Sequence, residues 1–421
     1  MFIYPPDPTL RRPLTLTATF PLFLGYYALA VLAILPHTFI FKLLLMPVVV
    51  WQASKCALEL DFSAWLAQQP GFQSADGLRF WNLIFIVRVS IHSSTLGAFS
   101  ETVVQAAMFV VTLRSFEWTF TKRPLRRYEL QKGQDAPVER HLSISNIVVD
   151  AFDLLCNPRG IGWSWSTIPF PRGSTLSPSI ASISAKLLLK FTLIDASQYI
   201  IQYVCPSVKN PEGGSLFDPS HGPVRSIALA AFAAAWGGMW AYAIIDTTYH
   251  AATLGGRILF RQHAAQWPPL MHRPWMSTSI REFWSYRWHQ ALRHFFIVFG
   301  ARPGGALLGL PGAIMGAFTV SAVLHHLGLW GLGHGTEFST AGGFFLLMGL
   351  GAIMEDAFKR ATGLRVKGFL GWSWTMLWTL LWGMFMLDGW ARHGMFVNHF
   401  FCDRLRPGKL LIDRVIALSG K

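Results

Sequence analysis

The sequence is poor in charged residues. Asp, Glu, Lys and Arg make up 14% of its 421 residues, against about 25% in a typical soluble domain. Hydrophobic residues make up 52%, and the mean hydropathy is +0.37. So little charge over this length indicates an integral membrane protein. The predicted fold class is all-α, a polytopic bundle of membrane helices.

Acidic residues are scarcer than basic ones, and the formal net charge is +14. The Lys and Arg residues flank apolar runs and form no continuous patch, which argues against a nucleic-acid partner. A basic surface beside a membrane fits anionic lipid headgroups or an anionic cosubstrate better.

Cysteine is also scarce. Four cysteines lie far apart, at Cys56, Cys156, Cys205 and Cys402. Without a CxxC pair, neither a zinc knuckle nor a redox pair is expected, and the spacing implies no disulfide framework. The sequence also lacks a GxSxG nucleophile elbow and a Walker phosphate loop.

The histidine spacing does not favour a metal site. His289 and His294 are five residues apart, which is about 140° around a helix, while the adjacent His325 and His326 point in different directions. No Asp or Glu lies three or four residues from any of them. We therefore expect no bound metal.

Long apolar runs indicate roughly eight membrane spans, since one crossing needs about 20 residues. The clearest runs are 16–35, 37–53, 225–245, 305–330 and 369–390. The weaker runs are 97–113, 183–204, 341–357 and 80–94. Arg11 and Arg12 precede the first run as in a signal peptide, but the run is too long for one, so we interpret it as an uncleaved span.

Two segments, 114–140 and 256–303, are strongly basic. The positive-inside rule places both in the cytosol, and we expect a multi-pass protein of the endoplasmic reticulum. Several charges fall inside the predicted spans: Arg88, Glu101, Lys186, Lys190 and Asp195. Such charges are functional candidates, but pairing within the bundle is the more ordinary explanation.

Residues 282–296, EFWSYRWHQALRHFF, combine charge with aromatic rings. On a helix, Glu282, Tyr286, His289 and Arg293 share one face, and aromatic residues gather on the other. Ser279 has capping-box spacing to Glu282, which predicts where this helix begins. The pattern predicts an amphipathic interfacial helix, either as an anchor without chemistry or as part of a site.

A second histidine site lies in the apolar run FTVSAVLHHLGLWGLGHG, residues 318–335. The helical neighbours of His325 are mostly small, including Ser321 and Gly328, whereas those of His326 are bulkier. The His325 side is thus either a close helix contact or a slot for substrate, and a hydrogen-bonded packing histidine is the alternative. An intramembrane histidine pair near a basic, aromatic segment suits acyl transfer from a phosphorylated donor to a lipophilic alcohol.

These residues carry a family resemblance. REFWSYRWHQALR (281–293) resembles the FWxRRWHQ signature of wax-synthase-like proteins in the membrane-bound O-acyltransferase superfamily, and SAVLHHL (321–327) resembles their intramembrane SGxxHE segment. RGIGW (159–163) and EWTFTKRPLRRY (117–128) resemble segments of its fungal branch. The resemblance covers about 115–395.

The resemblance implies roles for individual residues. His325 matches the family's histidine base, and His289 matches a second polar residue, Asn or His. Arg281, Arg287 and Arg293 would pair with coenzyme A phosphates. Ser321, Trp288 and Tyr286 would line the substrate pocket.

Three residues depart from the family pattern. Tyr286 replaces an Arg, Ala322 replaces a Gly, and His326 replaces a Glu. The last departure leaves open which of the two histidines is the base.

The function implied is transfer of acetyl from acetyl-CoA, as cosubstrate, to a hydroxyl of a lipophilic terpenoid or meroterpenoid. A long-chain wax or sterol ester synthase is the alternative. A transporter is the alternative of another class, disfavoured because no internal repeat is visible. We divide the chain into N-terminal membrane helices, 1–113, and an acyltransferase core, 114–421.

Overall fold

The computed structural model describes residues 11–13, 15–61, 94–129, 137–166, 179–210, 212–331, 335–397 and 406–419. The weak span predicted at 80–94 lies outside this range apart from the backbone of Ser94. Arg88, Cys402 and the side chain of Glu101 also lie outside it.

Helices dominate the described residues. Those of 13 residues or more are α1 (Leu16–Ile34), α2 (Phe39–Glu59), α3 (Ser94–Phe120), α4 (Ile144–Cys156), α5 (Ile180–Val204), α6 (Pro223–Ile258), α7 (Arg302–Gly331), α8 (Phe338–Thr362), α9 (Gly368–Arg392) and α10 (Pro407–Ser419). Extended pairing within this part of the chain consists of β1 (Arg12–Pro13) with β2 (Leu60–Asp61), β3 (Tyr128–Glu129) with β4 (Val138–Glu139), and an isolated bridge between Arg127 and Trp163. The all-α prediction is confirmed for these residues.

Five helices of the described chain are long and apolar enough to cross a membrane: Leu16–Ile34, Phe39–Glu59, Pro223–Ile258, Arg293–Gly331 and Phe338–Thr362. Helices α3, α5 and α9 have 25 to 27 residues, which is long enough to cross a membrane, but they are not among these five. The estimate of roughly eight spans is therefore supported for five, and the other crossings remain predictions.

The span predicted at 305–330 lies within the candidate span Arg293–Gly331, but it contains a chain reversal that was not predicted. The chain reverses at Leu308 and Gly309, where φ of Gly309 is +62°, a conformation that glycine adopts without strain. Residues 293–307 and 310–331 therefore form two antiparallel arms, which we call the 293–331 hairpin.

Glycine allows the two arms of this hairpin to approach closely. A Cβ on Gly300 would lie 2.3 Å from the carbonyl oxygen of Gly316, and one on Gly304 would lie 2.1 Å from that of Gly312. Small residues four apart on each arm thus permit backbone contact, as in other close helix pairs within membranes.

Two of the charges predicted inside spans are paired within the bundle. Lys190 of α5 forms an ion pair with Asp246 of α6, and Arg406 Nε donates to Asp195 over 2.8 Å. Asp195 also accepts from the N–H of Gly408 at the start of α10. These contacts confirm the expectation of pairing for Lys190 and Asp195.

The two basic segments lie on the same side of the fold. Arg127 pairs with Asp153 of α4 at 3.2 Å, and Gln262 donates to the same carboxylate at 3.1 Å. Arg159 donates to the carbonyl of Pro268 at 2.7 Å. This shared side matches the prediction, while its cytosolic assignment stays a prediction.

Candidate active site

A buried carboxylate on α8 holds the start of the segment 280–292. Glu355 accepts hydrogen bonds from the backbone N–H groups of Ile280 at 2.6 Å and Arg281 at 3.2 Å. Ser279 accepts from the N–H of Glu282 at 3.0 Å, as the capping-box spacing predicted. The carboxylate of Glu282 returns to Thr278 rather than to Ser279. The first turn is therefore held by Glu355 of α8 and by the nearby side chains of Ser279 and Glu282.

The predicted single helix over 282–296 is wrong. Ile280–Glu282 is one α-turn, Phe283–Arg287 is a π-helical turn, and Trp288 is extended with ψ of 164°. The side chain of Gln290 donates to the Trp288 carbonyl over 2.7 Å, which satisfies that carbonyl outside any helix. His289 therefore stands in an irregular stretch between helical turns, and it does not share a helical face with Arg293.

The segment also enters the bundle instead of lying along its surface. Ile280 meets Glu355, whereas the Trp284 ring meets Phe345 with 5.6 Å between centroids. These two partners are ten residues apart on α8, which corresponds to about 15 Å along a helix. Ile280 and Phe283 are buried. The aromatic face of the segment thus packs on protein, which corrects the expectation of an interfacial helix.

The hairpin explains how the two histidine motifs meet. Its glycine contacts pair residue 300 with 316 and residue 304 with 312, so the arms mirror each other about residue 308. By the same symmetry, His325 lies level with residue 291, beside His289. A positive charge on His325 accordingly influences the ionisation of His289. A separation of 36 residues in sequence therefore becomes proximity in the fold.

His325 is oriented by its own helix. Its Nδ1 lies 2.8 Å from the carbonyl oxygen of Ser321, and its ring stacks on Phe345 with 4.0 Å between centroids. A carbonyl oxygen only accepts hydrogen bonds, so Nδ1 carries the proton of the neutral ring. The lone pair is then on Nε2, which is the tautomer a general base needs.

His289 is kept neutral. Its Nδ1 atom is buried and has no hydrogen-bond partner among the described residues. Burial, and to a lesser extent the charge on His325, lower the pKa of His289 from 6.5 to about 3. A neutral imidazole at this place is able to donate or accept one hydrogen bond at physiological pH.

Aromatic rings wall the histidine pair. The Trp284 indole contacts Phe318, Phe344 and Phe345 with centroid distances of 5.6 to 6.0 Å. Its Nε1 is buried without a hydrogen-bond acceptor in the described part of the chain. A buried, unsatisfied donor is uncommon and is a ready contact for a substrate oxygen.

His326 lies apart from this group. Its Nδ1 is 3.0 Å from Thr336 Oγ1, and its ring is edge-on to Phe338 at 5.3 Å. Adjacent positions on a helix differ by about 100°, so the two rings of the motif face different neighbours. Only the ring of His325 stacks on Phe345 beside Trp284.

The three candidate arginines differ in their exposure and in the side-chain contacts they make. Arg287 is committed, because its Nε pairs with Glu282 at 2.7 Å and its Nη1 donates to the His272 carbonyl at 3.1 Å. Arg281 is exposed, and Arg293 is half-buried. Neither Arg281 nor Arg293 makes a side-chain hydrogen bond or ion pair with another described residue.

The remaining candidate pocket residues occupy different surroundings. Ser321 is buried and positions His325 through its carbonyl. Trp288 stacks on Phe283 with 5.5 Å between centroids, next to His289. Tyr286 is 54% exposed, and its ring stacks on His272.

Two contacts at the site had not been predicted. Glu355 and its neighbour Asp356 are carboxylates inside the predicted span 341–357, and that signal could have identified Glu355. His294, which was considered only as a metal ligand, hydrogen-bonds Glu117 of α3. No pattern along the sequence links these two residues. The described residues contain no group of three or more His, Cys, Asp or Glu that could hold a metal ion.

One segment of the chain matches a known protein family. Residues 267–347 match the model of the Membrane bound O-acyl transferase family. The matched region contains the segment 280–292, both histidine motifs and the whole 293–331 hairpin.

Individual relatives are fungal enzymes. The chain is 24% identical over 309 residues to O-Mevalon transferase macI of Penicillium terrestre, covering 66% of this chain and 70% of the relative. It is 27% identical over 288 residues to Acetyltransferase eriL of Hericium erinaceus, covering 64% and 73%. It is 26% identical over 310 residues to Acetyltransferase ple2 of Rhodocybe pseudopiperita, covering 67% and 75%.

Proposed function

Because the chain is an enzyme of the membrane-bound O-acyltransferase family, distantly homologous to fungal acetyltransferases and O-mevalon transferases of secondary metabolism, we propose that it transfers acetyl from acetyl-CoA to a hydroxyl of a lipophilic terpenoid or meroterpenoid. The carrying observation is the orientation of His325, whose Nδ1–H is held by the Ser321 carbonyl and whose Nε2 is left for the substrate.

The reaction begins with proton transfer to His325. Its Nε2 takes the proton of the acceptor hydroxyl while the oxygen attacks the thioester carbonyl carbon. The tetrahedral oxyanion needs donors in a site of low dielectric. Trp284 Nε1 and the neutral ring of His289 are the candidates.

Collapse of the intermediate breaks the carbon–sulfur bond. The leaving thiolate takes the proton from His325 Nε2, which gives the free thiol, the ester and a neutral histidine again. No covalent acyl-enzyme is needed. The aromatic wall of Trp284, Phe344 and Phe345 keeps water away from the thioester, which would otherwise be hydrolysed.

Among the arginines, Arg281 is our candidate for the coenzyme A phosphates. It is exposed, and its guanidinium makes no hydrogen bond or ion pair with another described residue. Arg287 supports the segment from within through Glu282 and the His272 carbonyl. Arg293 remains a second candidate for phosphate contact.

The proposed core is 114–421, and its boundary with 1–113 falls inside α3. We place this multi-pass protein in the endoplasmic reticulum, with the basic segments 114–140 and 256–303 in the cytosol. This orientation would give a charged donor direct access to Arg281 from the cytosol.

A second candidate differs in the acyl group. Two of the relatives are named O-Mevalon transferase, so a mevalonyl thioester is a possible donor at the same site. The proton transfers would be unchanged, because they involve the alcohol and the thioester carbonyl alone.

The test is a donor and acceptor matrix. Microsomes from a host expressing the chain would receive radiolabelled acetyl-, mevalonyl- or palmitoyl-CoA with a panel of hydroxylated terpenoids, sterols and long-chain alcohols. Ester formation from acetyl-CoA and a terpenoid is the expected result, with the His325→Ala variant as the blank. Ester formation with palmitoyl-CoA only would replace the proposal by a wax or sterol ester synthase.

A further inference from the structure

His272 and Tyr286 form an aromatic pair that lies outside the histidine site. The rings of His272 and Tyr286 stack with 4.8 Å between centroids and planes parallel to within 1°. Tyr286 is 54% exposed although its ring is covered by His272 on one side. Much of the tyrosine ring is therefore open to a flat ligand.

The backbone on either side fixes this pair. The His272 N–H donates to the Arg287 carbonyl at 2.9 Å, and the Arg287 side chain donates back to the His272 carbonyl at 3.1 Å. Tyr286 directly precedes Arg287. The two rings are thus held parallel before any ligand arrives, which lowers the entropy cost of stacking a third ring.

Arginine side chains lie near the pair, and Arg159 and Arg287 are close enough to influence the ionisation of His272. Arg273 follows His272, is exposed, and has φ of +49°, a strained conformation for a residue with a side chain. Burial, together with the nearby charges of Arg159 and Arg287, lowers the pKa of His272. The lowered pKa favours the neutral form of the stacked imidazole.

A flat π surface next to guanidinium groups matches a purine nucleotide, whose base stacks and whose phosphates pair with arginine. Tyr286 also stands where the family signature has an arginine, so this chain has exchanged a charge for a ring. The histidine site is near, because three residues from Tyr286 to His289 span at most about 11 Å.

We propose that Tyr286 and His272 form the stacking surface for the adenine ring of the acyl-CoA donor, with Arg273 beside it for the donor's phosphates. This inference rests on the proposed use of an acyl-CoA. It reassigns Tyr286 from the acceptor pocket to the donor site, and it adds two residues, His272 and Arg273, that the sequence had not singled out.

The experiment compares Tyr286→Leu with Tyr286→Phe, which keeps the ring. Binding of radiolabelled CoA to the purified full chain in detergent gives Kd. Turnover with acetyl-CoA and with S-acetylpantetheine, which has neither purine nor phosphate, gives KM. We expect Tyr286→Leu to weaken CoA binding about 5- to 100-fold and to leave the KM for S-acetylpantetheine unchanged. Tyr286→Phe should bind CoA like the unaltered chain.

A matched control is Phe260→Leu, since Phe260 is 58% exposed and, like His272, belongs to the basic segment 256–303. This change should not affect CoA binding. If Tyr286→Leu binds CoA normally, or loses activity equally with both donors, the stacking assignment is wrong. If the unaltered chain itself binds no CoA, the proposed donor is wrong, which is a separate result.

Discussion

His289 and His294 are five residues apart on one segment, yet their surroundings are opposite. His294 is 5% exposed, hydrogen-bonded to Glu117, and packed edge-on against Trp165 at 4.6 Å. His289 has no carboxylate partner among the described residues, and the nearby ionisable group is another histidine, His325. A carboxylate partner ties an imidazole to the scaffold, whereas its absence leaves a neutral ring available to a substrate.

The largest expected effect is the loss of turnover when His325 is replaced. His325→Ala removes the proposed base, and general base catalysis contributes about 10²- to 10⁴-fold. We expect turnover to fall by at least that factor while the purified variant gives the same monodisperse size-exclusion peak. His326→Ala is the control, and it should retain a measurable fraction of activity because its ring contacts Thr336 and Phe338 instead. An active His325→Ala with an inactive His326→Ala would make His326 the base.

The next effect concerns the donor. Arg281→Ala should raise the KM for acetyl-CoA about 10- to 100-fold, because one charge-assisted hydrogen bond to phosphate is worth about 1.5–3 kcal/mol. The KM for the alcohol should change little. Initial rates over a matrix of both substrates measure this split. Arg360→Ala, which removes an exposed guanidinium paired with Asp356, is the control, and equal donor KM values in the two variants would remove Arg281 from the site.

A smaller effect is expected from weakening the hydrogen bond between His294 and Glu117. Glu117→Gln weakens a buried hydrogen bond and should cost about 1–3 kcal/mol of stability, read as a lower Tm in detergent, with kcat within a few-fold of the unaltered chain. Glu337→Gln is the comparison, because its pair with Arg392 is more than a third exposed and should cost under about 1 kcal/mol. A large loss of kcat without loss of Tm would place Glu117 in the reaction.

An effect of similar size is a pH dependence of stability. His289 has a pKa of about 3 in the fold and 6.5 as its ordinary value, so the unfolded chain takes up a proton that the folded chain refuses. The free energy of unfolding is therefore highest above pH 6.5 and falls as the pH decreases towards 3. The loss is about 2 kcal/mol between pH 6.5 and 5. His289→Asn should show a smaller drop in Tm between pH 7 and 5 than the unaltered chain, and parallel curves would contradict this.

The sequence predicted the residues of the candidate site, but not the backbone shape that carries them. Apolar length predicted the spans that the structure supports, and spacing with residue type singled out His289 and His325, because both signals are local. The break at Trp288 was missed because it depends on carbonyl and amide partners such as Gln290 and Leu270. Helical periodicity cannot register bonds of that kind.

The hairpin was missed for a related reason. An apolar run that reverses at Leu308 and Gly309 has the same composition as one that continues, and a single Gly-Leu-Pro turn gives a weak signal. The contact of Glu117 with His294 joins positions 177 apart. Only the folded arrangement of α3 against the hairpin brings them together.

The mirror symmetry of the 293–331 hairpin constrains how this part of the chain is able to change in length. Inserting one residue between Gly309 and His325 would turn the histidine by about 100° and move it about 1.5 Å along the arm. The other arm, still in contact through its glycines, would stay in place with His289. Divergence in this region should therefore proceed by substitution, or by paired insertions and deletions equidistant from residue 308.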